Sequence, residues 1–321
     1  MTTPLCPVTG EPAIRRVQWV SARLLADLWR YTLRVDARPS FRGTKRFGLW
    51  ESPTGLYFFD PMRQGDAGFY TTLYSRLSDR YYPREGHPRA EFRLAARHVA
   101  PGDRVLDVGC GFGAFRYEVR HAEYTGLDPH FSGEPGASWA RVESLDDHLR
   151  THAGEYDLVT AFQVLEHVDQ PVAMARAMMR AVRPGGTVII GVPHVPAAHT
   201  RIPNYLINAV PHHLTWWTKA ALEALASRVG LVSPEVEITP WTDVDAIVYW
   251  MERCSPVKCR DVHYRHSWAW HASALVGFVG GLAMGKLKPQ PFRPDDEGAS
   301  LLLLARKPVQ PAPGTNMRRR K

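Results

Sequence analysis

The sequence predicts an α/β fold built on a mostly parallel, seven-stranded sheet with helices on both faces. Short apolar segments bounded by Gly, Pro or acidic residues alternate with segments of helical periodicity. A glycine-rich turn follows the first of these strands and opens a helix, which is an arrangement that binds nucleotide-like cofactors. The predicted strands lie near residues 104–108, 123–127, 139–142, 156–161, 187–192, 235–239 and 300–306.

The region before this sheet, residues 1–90, is predicted to be an N-terminal leader with a helix and a β-hairpin. Apolar residues recur at helical spacing from Val17 to Leu28 and predict an amphipathic helix. Segments 48–51 and 55–61 predict the hairpin. A helical stretch follows, and its tyrosines are Tyr70, Tyr74, Tyr81 and Tyr82. Two interpretations stay open for this stretch: a lid over an active site, or ordinary aromatic packing.

The core domain is predicted to span residues 91–308. Its first helix covers Glu91 to Val99, and a later helix covers Thr218 to Val229. Gly230 follows that later helix and would end it in the left-handed conformation. Before the last strand the chain carries an insertion, at about 241–299, that is far longer than a hairpin connection.

The insertion contains an apolar segment, residues 268–284, that is interrupted by His271 and by glycines and is short for a bilayer span. Three interpretations stay open: a helix packed on the domain, an interfacial helix, or the wall of a pocket for a lipid-like substrate. Lys286 and Lys288 would suit anionic headgroups, so residues 268–288 are a candidate peripheral membrane contact. The basic tail 309–321 is predicted to be disordered.

Composition limits the class of protein. The chain has 321 residues, a formal net charge of +8 and 45% hydrophobic residues, which suits a globular protein that meets an anionic partner or surface. The start of the chain lacks the pattern of a secretory signal peptide, and the four cysteines are too scattered for a disulfide framework or a standard zinc site. The expected location is the cytoplasm. The sequence does not fix the oligomeric state.

The glycine turn lies between Asp107 and Phe115. Gly109, Gly111 and Gly113 lack Cβ atoms, so the chain can bend sharply there and approach a ligand closely. This pattern satisfies the weak dinucleotide fingerprint, but the preceding acid suits a cationic ligand better than a pyrophosphate. Asp128 ends the next strand about 20 residues later, where an acid accepts hydrogen bonds from ribose hydroxyls.

The pattern D-x-G-x-G-x-G at 107–113 resembles motif I of class I S-adenosylmethionine (SAM)-dependent methyltransferases. Downstream, the order DLV, LEHV, RPGG and VIIGVP between Asp157 and Pro193 resembles the ubiquinone-biosynthesis type of these enzymes, and the leader resembles that of bacterial methyltransferases of glycans and secondary metabolites. The resemblance covers about residues 100–195. It implies a Rossmann-like fold whose last two strands are antiparallel, SAM as the cofactor, and methyl transfer as the activity.

The resemblance also implies where SAM binds. The residues that match the cofactor-binding positions are Asp107, Gly109, Cys110, Gly111, Gly113, Asp128, Pro129, Glu143, Ser144, Phe162 and Gln163. Among them, Glu143 and Ser144 match the loop that contacts the adenine amino group, and Phe162 and Gln163 would flank the cofactor.

Two histidines are candidates for catalysis. His167 lies in the loop that faces the methyl group in the resembled family, and His213 would enter the same region. Histidine titrates in the range that a general base for a hydroxyl acceptor needs. Some relatives bind a divalent metal through E-x-x-E-H and a later histidine, which match Gln163, Glu166, His167 and His213 here. Because Gln163 replaces the first glutamate, we expect no resident metal.

The favoured function is methyl transfer from SAM to an oxygen of a small-molecule, glycan or lipid-linked acceptor. An RNA methyltransferase is one alternative, supported by the basic charge and by the distant likeness to small-RNA 2′-O-methyltransferases, although nucleic acid is not the expected partner. A non-catalytic SAM-binding scaffold is a second alternative, and a nicotinamide-dependent oxidoreductase is a third. The acceptor itself cannot be inferred from one sequence, because specificity lies in variable segments such as the leader and the insertion.

Overall fold

A computed structural model describes residues 3–77, 89–130, 136–290 and 298–309. Its strands are β1 Arg15–Ser21, β2 Arg46–Glu51, β3 Tyr57–Asp60, β4 Arg104–Val108, β5 Glu123–Leu127, β6 Ala140–Arg141, β7 Tyr156–Phe162, β8 Val182–Pro193, β9 Thr215–Trp216, β10 Val232–Ile238 and β11 Ser300–Arg306. Its α-helices are α1 Ala22–Leu28, α2 Ala67–Arg76, α3 Ala90–Ala96, α4 Leu145–His148, α5 Pro171–Ala181, α6 Lys219–Val229, α7 Asp243–Cys254 and α8 Trp268–Leu287. Tyr81, Tyr82 and the tail from 310 onward lie outside the described residues.

The centre of the molecule is a seven-stranded sheet in the order β10-β11-β8-β7-β4-β5-β6, which confirms the predicted fold class. The pairings from β8 to β6 are parallel, whereas β11 runs antiparallel to both β8 and β10. Alternate residues of each strand point to opposite faces, and both faces are covered. Helices α5 and α6 pack on one face, and α3 packs on the other.

The parallel strands β4, β5 and β7 end at the same edge of this sheet, which we call the carboxyl edge. The long insertion also leaves from and returns to this edge. Strand β10 ends at Ile238 opposite Leu301, and β11 begins at Ser300 opposite Pro193, the last residue of β8. The topology therefore places helices α7 and α8 on the side of the sheet where a cofactor would bind.

The leader forms a second sheet in the order β1-β2-β3-β9, which includes the predicted hairpin of β2 and β3. Strand β9 comes from the core part of the chain and joins the two regions through its pairing with Tyr57 and Phe58. The prediction of a helix from Val17 onward is wrong in its first half, because Val17 and Val20 lie on β1. Pairing of β1 with β2 decides this conformation. The shorter helix α1 continues directly into a π-helical stretch, Trp29–Leu33.

Three further predictions can be compared with the structure. Helix α6 ends at Gly230 with φ 80°, as expected. It begins at Lys219, and the Thr218 hydroxyl caps its first turn. The prediction of a helix after the glycine turn needs correction, because that segment forms only a short 3-10 helix, Ala114–Tyr117. The insertion folds into the helical pair α7 and α8. Among the described residues, no helix has both the length and the apolar character needed to cross a bilayer.

Candidate active site

The glycine turn adopts a backbone that requires glycine. Gly109, Gly111 and Gly113 have φ values of 71°, 53° and 67°, in the left-handed region. The turn also leaves no space for a side chain at two of these positions. A Cβ atom at Gly109 would lie 2.5 Å from the Val164 side chain, and one at Gly113 would overlap the ring of Trp139. Through Val164, the loop that follows β7 rests directly on the turn.

Asp107, at the end of β4, is buried and points between its two neighbouring strands. Its carboxylate accepts hydrogen bonds from the Tyr124 hydroxyl at 2.7 Å and from the Thr160 hydroxyl at 2.9 Å. Burial outweighs these two bonds and raises the pKa of Asp107 to about 7. A cation bound at the turn would stabilise the ionised form of this acid.

Asp128, at the end of β5, holds the turn in place. One carboxylate oxygen accepts the Gly111 N–H at 3.1 Å, and the other accepts the His130 N–H at 2.8 Å. Each oxygen keeps further acceptor capacity, which ribose hydroxyls could use. Pro129 follows at the surface, and burial raises the pKa of the Cys110 thiol, whose sulfur packs against Gly126.

The other four residues that are predicted to contact the cofactor make contacts within the protein. Glu143 lies 2.8 Å from the His148 ring, and Ser144 caps helix α4. Phe162 is buried with its ring centroid 4.9 Å from those of two other phenylalanines. Gln163, with φ 57°, donates its amide to Glu91 at 3.3 Å and to Ser300 at 3.4 Å. Their contact with the cofactor stays a prediction.

The loop after β7 carries a buried carboxylate, that of Glu166. Glu166 is 0% exposed, and within the described part of the chain neither of its carboxylate oxygens accepts a hydrogen bond. Burial raises the pKa of Glu166 to about 8. An unpaired buried acid is costly, so native proteins keep one where it serves a ligand or a reaction.

His167 and His213 lie beside this acid, and His212 packs against both of their rings. We call His167, His212, His213 and Glu166 the Glu–His cluster. The nitrogens of the three rings lie within 4.8 Å of one another. The His167 and His213 Nε2 atoms lie 3.8 and 4.0 Å from Glu166 Oε1. Burial lowers the pKa of His167 to about 4 and holds those of His212 and His213 well below the ordinary value, so all three rings are neutral at pH 7.

Two backbone contacts assemble this cluster from segments 45 residues apart. The His167 Nδ1 atom lies 2.6 Å from the His212 carbonyl oxygen, so Nδ1 carries the proton and Nε2 is left with its lone pair toward Glu166. The Leu214 N–H donates to the Glu166 carbonyl at 2.7 Å. These contacts place His213 in the same region as His167 and Glu166, as the sequence analysis predicted. His212 was missed, although its place beside His213 in the sequence was a signal for it.

Comparison with known proteins identifies the family. A family model described as a methyltransferase domain matches residues 72–233. The chain belongs to this methyltransferase family. It is a class I SAM-dependent methyltransferase, and SAM is its cofactor. Gly109 to Gly113, Asp107 and Asp128 fit that cofactor, because they offer bare backbone and two carboxylates at the end of adjacent strands.

Relatives of the methyltransferase include ubiquinone biosynthesis O-methyltransferases. The one from Psychrobacter cryohalolentis is 30% identical over 184 residues, which cover 52% of this chain and 67% of the relative. The Escherichia coli K12 protein is 38% identical over 99 residues, but the match covers 27% of this chain and 41% of that protein. A SAM-dependent methyltransferase structure from Archaeoglobus fulgidus aligns with 75% of this chain and 100% of its own, at 16% identity and a TM-score of 0.45.

Aromatic residues of the leader cover the Glu–His cluster of the methyltransferase. The Tyr70 ring centroid, on α2, lies 6.1 Å from that of His167 and 6.0 Å from that of His212. The Trp29 ring centroid lies 6.3 Å from that of His212, and Trp29 donates its indole N–H to the Val210 carbonyl. These rings limit the access of water to the cluster, where only the His167 side chain is partly exposed, and this strengthens the electrostatic interactions within it.

Proposed function

We propose that the methyltransferase acts on a hydroxyl oxygen of its acceptor, beside the Glu–His cluster. The observation that carries this proposal is the buried Glu166 carboxylate, which has two imidazole Nε2 atoms at 3.8 and 4.0 Å and no hydrogen bond from the described residues. Such a set of lone pairs needs a proton, a cation or a polar ligand. Its loop rests on the glycine turn through Val164, so cofactor and acceptor sites adjoin.

The cofactor side of the proposal assigns separate tasks to two acids. SAM supplies an electrophilic methyl group and carries positive charge at its sulfonium and its α-amino group. Asp107 offers a carboxylate at the cationic end, held by Tyr124 and Thr160. Asp128 offers its remaining lone pairs to the ribose hydroxyls. The protein's main contribution to such a displacement is alignment of the acceptor behind the methyl group.

On the acceptor side, His167 is the candidate general base. Its Nδ1–H bond to the His212 carbonyl fixes the tautomer, so Nε2 can accept the acceptor's proton. His213 is neutral and lies with its ring centroid 4.9 Å from that of His167, where it can orient the same hydroxyl. In its ionised form, Glu166 would then stabilise the imidazolium that forms when His167 takes up the proton.

The same donor set fits a divalent metal, although Gln163 led us to expect none. Glu166 is a buried carboxylate that accepts no hydrogen bond from the described residues, and beside it three neutral imidazoles each offer a nitrogen within 4.8 Å of the others. His167 has its Nδ1–H anchored on a carbonyl, which is the usual support for a metal-ligating Nε2. A bound cation would lower the pKa of an acceptor hydroxyl. Glu166, His167, His212 and His213 would hold it.

The acceptor class is a small molecule, a glycan or a lipid-linked compound. The names of the relatives favour a small, oxygen-bearing acceptor, because they place those proteins in ubiquinone biosynthesis. An RNA acceptor is the alternative that the net charge of +8 favours. Salt-sensitive binding of RNA oligonucleotides at about physiological salt would support that alternative. Binding of SAM without methyl transfer to any acceptor would support the scaffold interpretation.

Calorimetric titration and a methyl-transfer assay with labelled SAM test the proposal together. His167→Ala is expected to lower turnover at least about 100-fold while the affinity for SAM stays within about twofold, because the ring contacts the Glu–His cluster and Tyr70. His98→Ala, at an exposed histidine, is the matched control and is expected to keep both values. Unchanged turnover in His167→Ala would remove this histidine from the mechanism.

The metal is tested by a readout that does not depend on activity. Thermal unfolding is recorded after EDTA treatment and after addition of Mg²⁺, Mn²⁺ or Zn²⁺. A ligand that binds only the folded state, at a free concentration about 100 times its Kd, stabilises that state by about 2.7 kcal/mol. We expect that shift for one of the three ions in the wild type and its loss in Glu166→Gln. Equal melting curves with and without each ion would leave His167 to act as a base without metal.

A further inference from the structure

Helix α8 has an apolar surface that the rest of the described chain leaves uncovered. Its exposed large side chains form the apolar face of α8, with exposed fractions of 63% for Leu275, 50% for Val276, 49% for Phe278, 58% for Val279 and 40% for Leu282. A contiguous exposed patch of this kind marks an interaction site. The helix is apolar on all sides, which is unusual for a helix that only packs on a globular domain.

The opposite side of α8 is fixed to α7 by a stripe of small residues. Gly277, Gly281 and Gly285 recur every four residues and are buried with Ser273. Cβ atoms at Gly277 and Gly281 would lie 2.7 and 2.8 Å from carbonyl oxygens of α7. The two backbones therefore touch along this stripe, as in helix pairs of membrane proteins. The large side chains are left to face outward.

The charged side chains of the segment that contains α8, residues 262–290, are all cationic. No acidic residue occurs between Asp261 and Asp295, whereas Arg265 precedes the helix and Lys286 and Lys288 stand at its end. All three cations are exposed. A surface with phosphate groups complements this pattern, because the apolar side chains can enter the acyl region while the cations meet the headgroups.

Tryptophans mark both ends of the helix. Trp268 begins α8 and is 83% exposed. At the other end, Trp250 of α7 donates its indole N–H to the Lys288 carbonyl at 3.2 Å and lies under the Lys288 ammonium. Tryptophan is enriched where a protein meets the boundary between headgroups and acyl chains. The helix thus has an apolar centre with aromatic and cationic ends.

We propose that α8 docks in the plane of an anionic lipid surface through its apolar face. A second copy of the chain is a poorer occupant of this face. If α8 paired with the α8 of another copy, like charges would meet, because the segment has cations at both ends and no acid. The insertion joins the carboxyl edge at Ile238 and Ser300, so the lipid surface would lie on the side of the molecule that carries the cofactor turn. This docking surface does not depend on the chemistry of methyl transfer.

Vesicle co-sedimentation with the full chain tests this proposal. Binding is expected to vesicles of phosphatidylglycerol and phosphatidylcholine and to be at least about tenfold weaker with phosphatidylcholine alone. Replacing Lys286 and Lys288 by Gln should weaken binding about fivefold per lysine. The double variant Leu275→Glu, Val279→Glu should abolish it, since charges cannot enter the acyl boundary.

The control carries Leu5→Glu and Ile14→Glu, two residues that are 59% and 60% exposed on the N-terminal segment. It should bind vesicles like the wild type, and every variant should keep the wild-type affinity for SAM, which shows that it is folded. Equal vesicle binding by the α8 variant and the control would overturn the proposal. So would the absence of binding to anionic vesicles, or a dimer in sedimentation velocity that the α8 substitutions dissociate.

Discussion

The two halves of the candidate active site differ in how their acids are satisfied. On the cofactor half, Asp107 and Asp128 each accept two hydrogen bonds from the protein. On the acceptor half, Glu166 is more deeply buried and accepts none from the described residues. The cofactor half is thus formed before any ligand binds, whereas the acceptor half is electrostatically incomplete without a cation, a proton or a substrate.

The largest expected effect comes from replacing the unpaired acid. With a pKa near 8, Glu166 is mostly neutral at pH 7, so Glu166→Gln should change the free energy of unfolding by less than about 1 kcal/mol. Methyl-transfer turnover should nevertheless fall about 100-fold, because the lone pairs offered to the ligand change. Urea unfolding and the labelled-methyl assay measure the two effects.

Glu252→Gln is the matched comparison. This acid is also buried, but Arg201 and Lys258 lie 3.6 and 3.5 Å from it. Its replacement should cost about 2 kcal/mol of stability and leave turnover unchanged. If both variants lost stability alone, Glu166 would be a structural acid and the contrast between the halves would fail.

The second prediction concerns the preformed half. Gly109→Ala combines left-handed strain with a Cβ atom 2.5 Å from Val164, so it should lower the free energy of unfolding by about 2 to 4 kcal/mol and weaken SAM binding. Gly102→Ala has a similar φ of 82° and no atom within 4 Å of its Cβ, so strain alone should cost about 1 kcal/mol. Chemical unfolding and calorimetry measure these changes. Equal losses in both variants would mean that contact with Val164 does not hold the turn.

The third prediction is a pH dependence of SAM binding. The pKa of Asp107 is about 7 in the free protein, above its unfolded value, so the stability that its proton contributes is lost as pH rises through 7. A cationic ligand favours the ionised acid, and SAM affinity should therefore rise about eightfold between about pH 6 and about pH 7.5.

Calorimetric titration of Asp107→Asn should show this rise largely removed, whereas Asp146→Asn, at an exposed acid on α4, should keep it. A flat profile in the wild type would indicate that Asp107 does not change ionisation when the cofactor binds. In that case the preformed half would owe its affinity to the backbone of the turn and to Asp128.

Local signals in the sequence predicted the cofactor half well. The strand Arg104–Val108, its glycines and Asp128 stand within a short stretch, and each depends on backbone conformation or on strand order that neighbouring residues reveal. The first half of the helix predicted from Val17 failed for the opposite reason. Its apolar spacing suits a helix, but β1 pairs with β2, and Gln18 bonds to the backbone of Tyr264 far along the chain.

By itself, the sequence determined the α/β fold, the glycine turn and the acids at the ends of β4 and β5, because these features depend on residues close together in the chain. Only the tertiary structure brought His212 beside His167 and His213 beside Glu166, whose carboxylate accepts no hydrogen bond from the described residues. It also turned the glycine stripe of α8 inward and its large apolar side chains outward. Contacts between distant segments decide which side chains are buried and which hydrogen bonds they make, so a local sequence pattern does not predict the hydrogen-bond partners of a buried group.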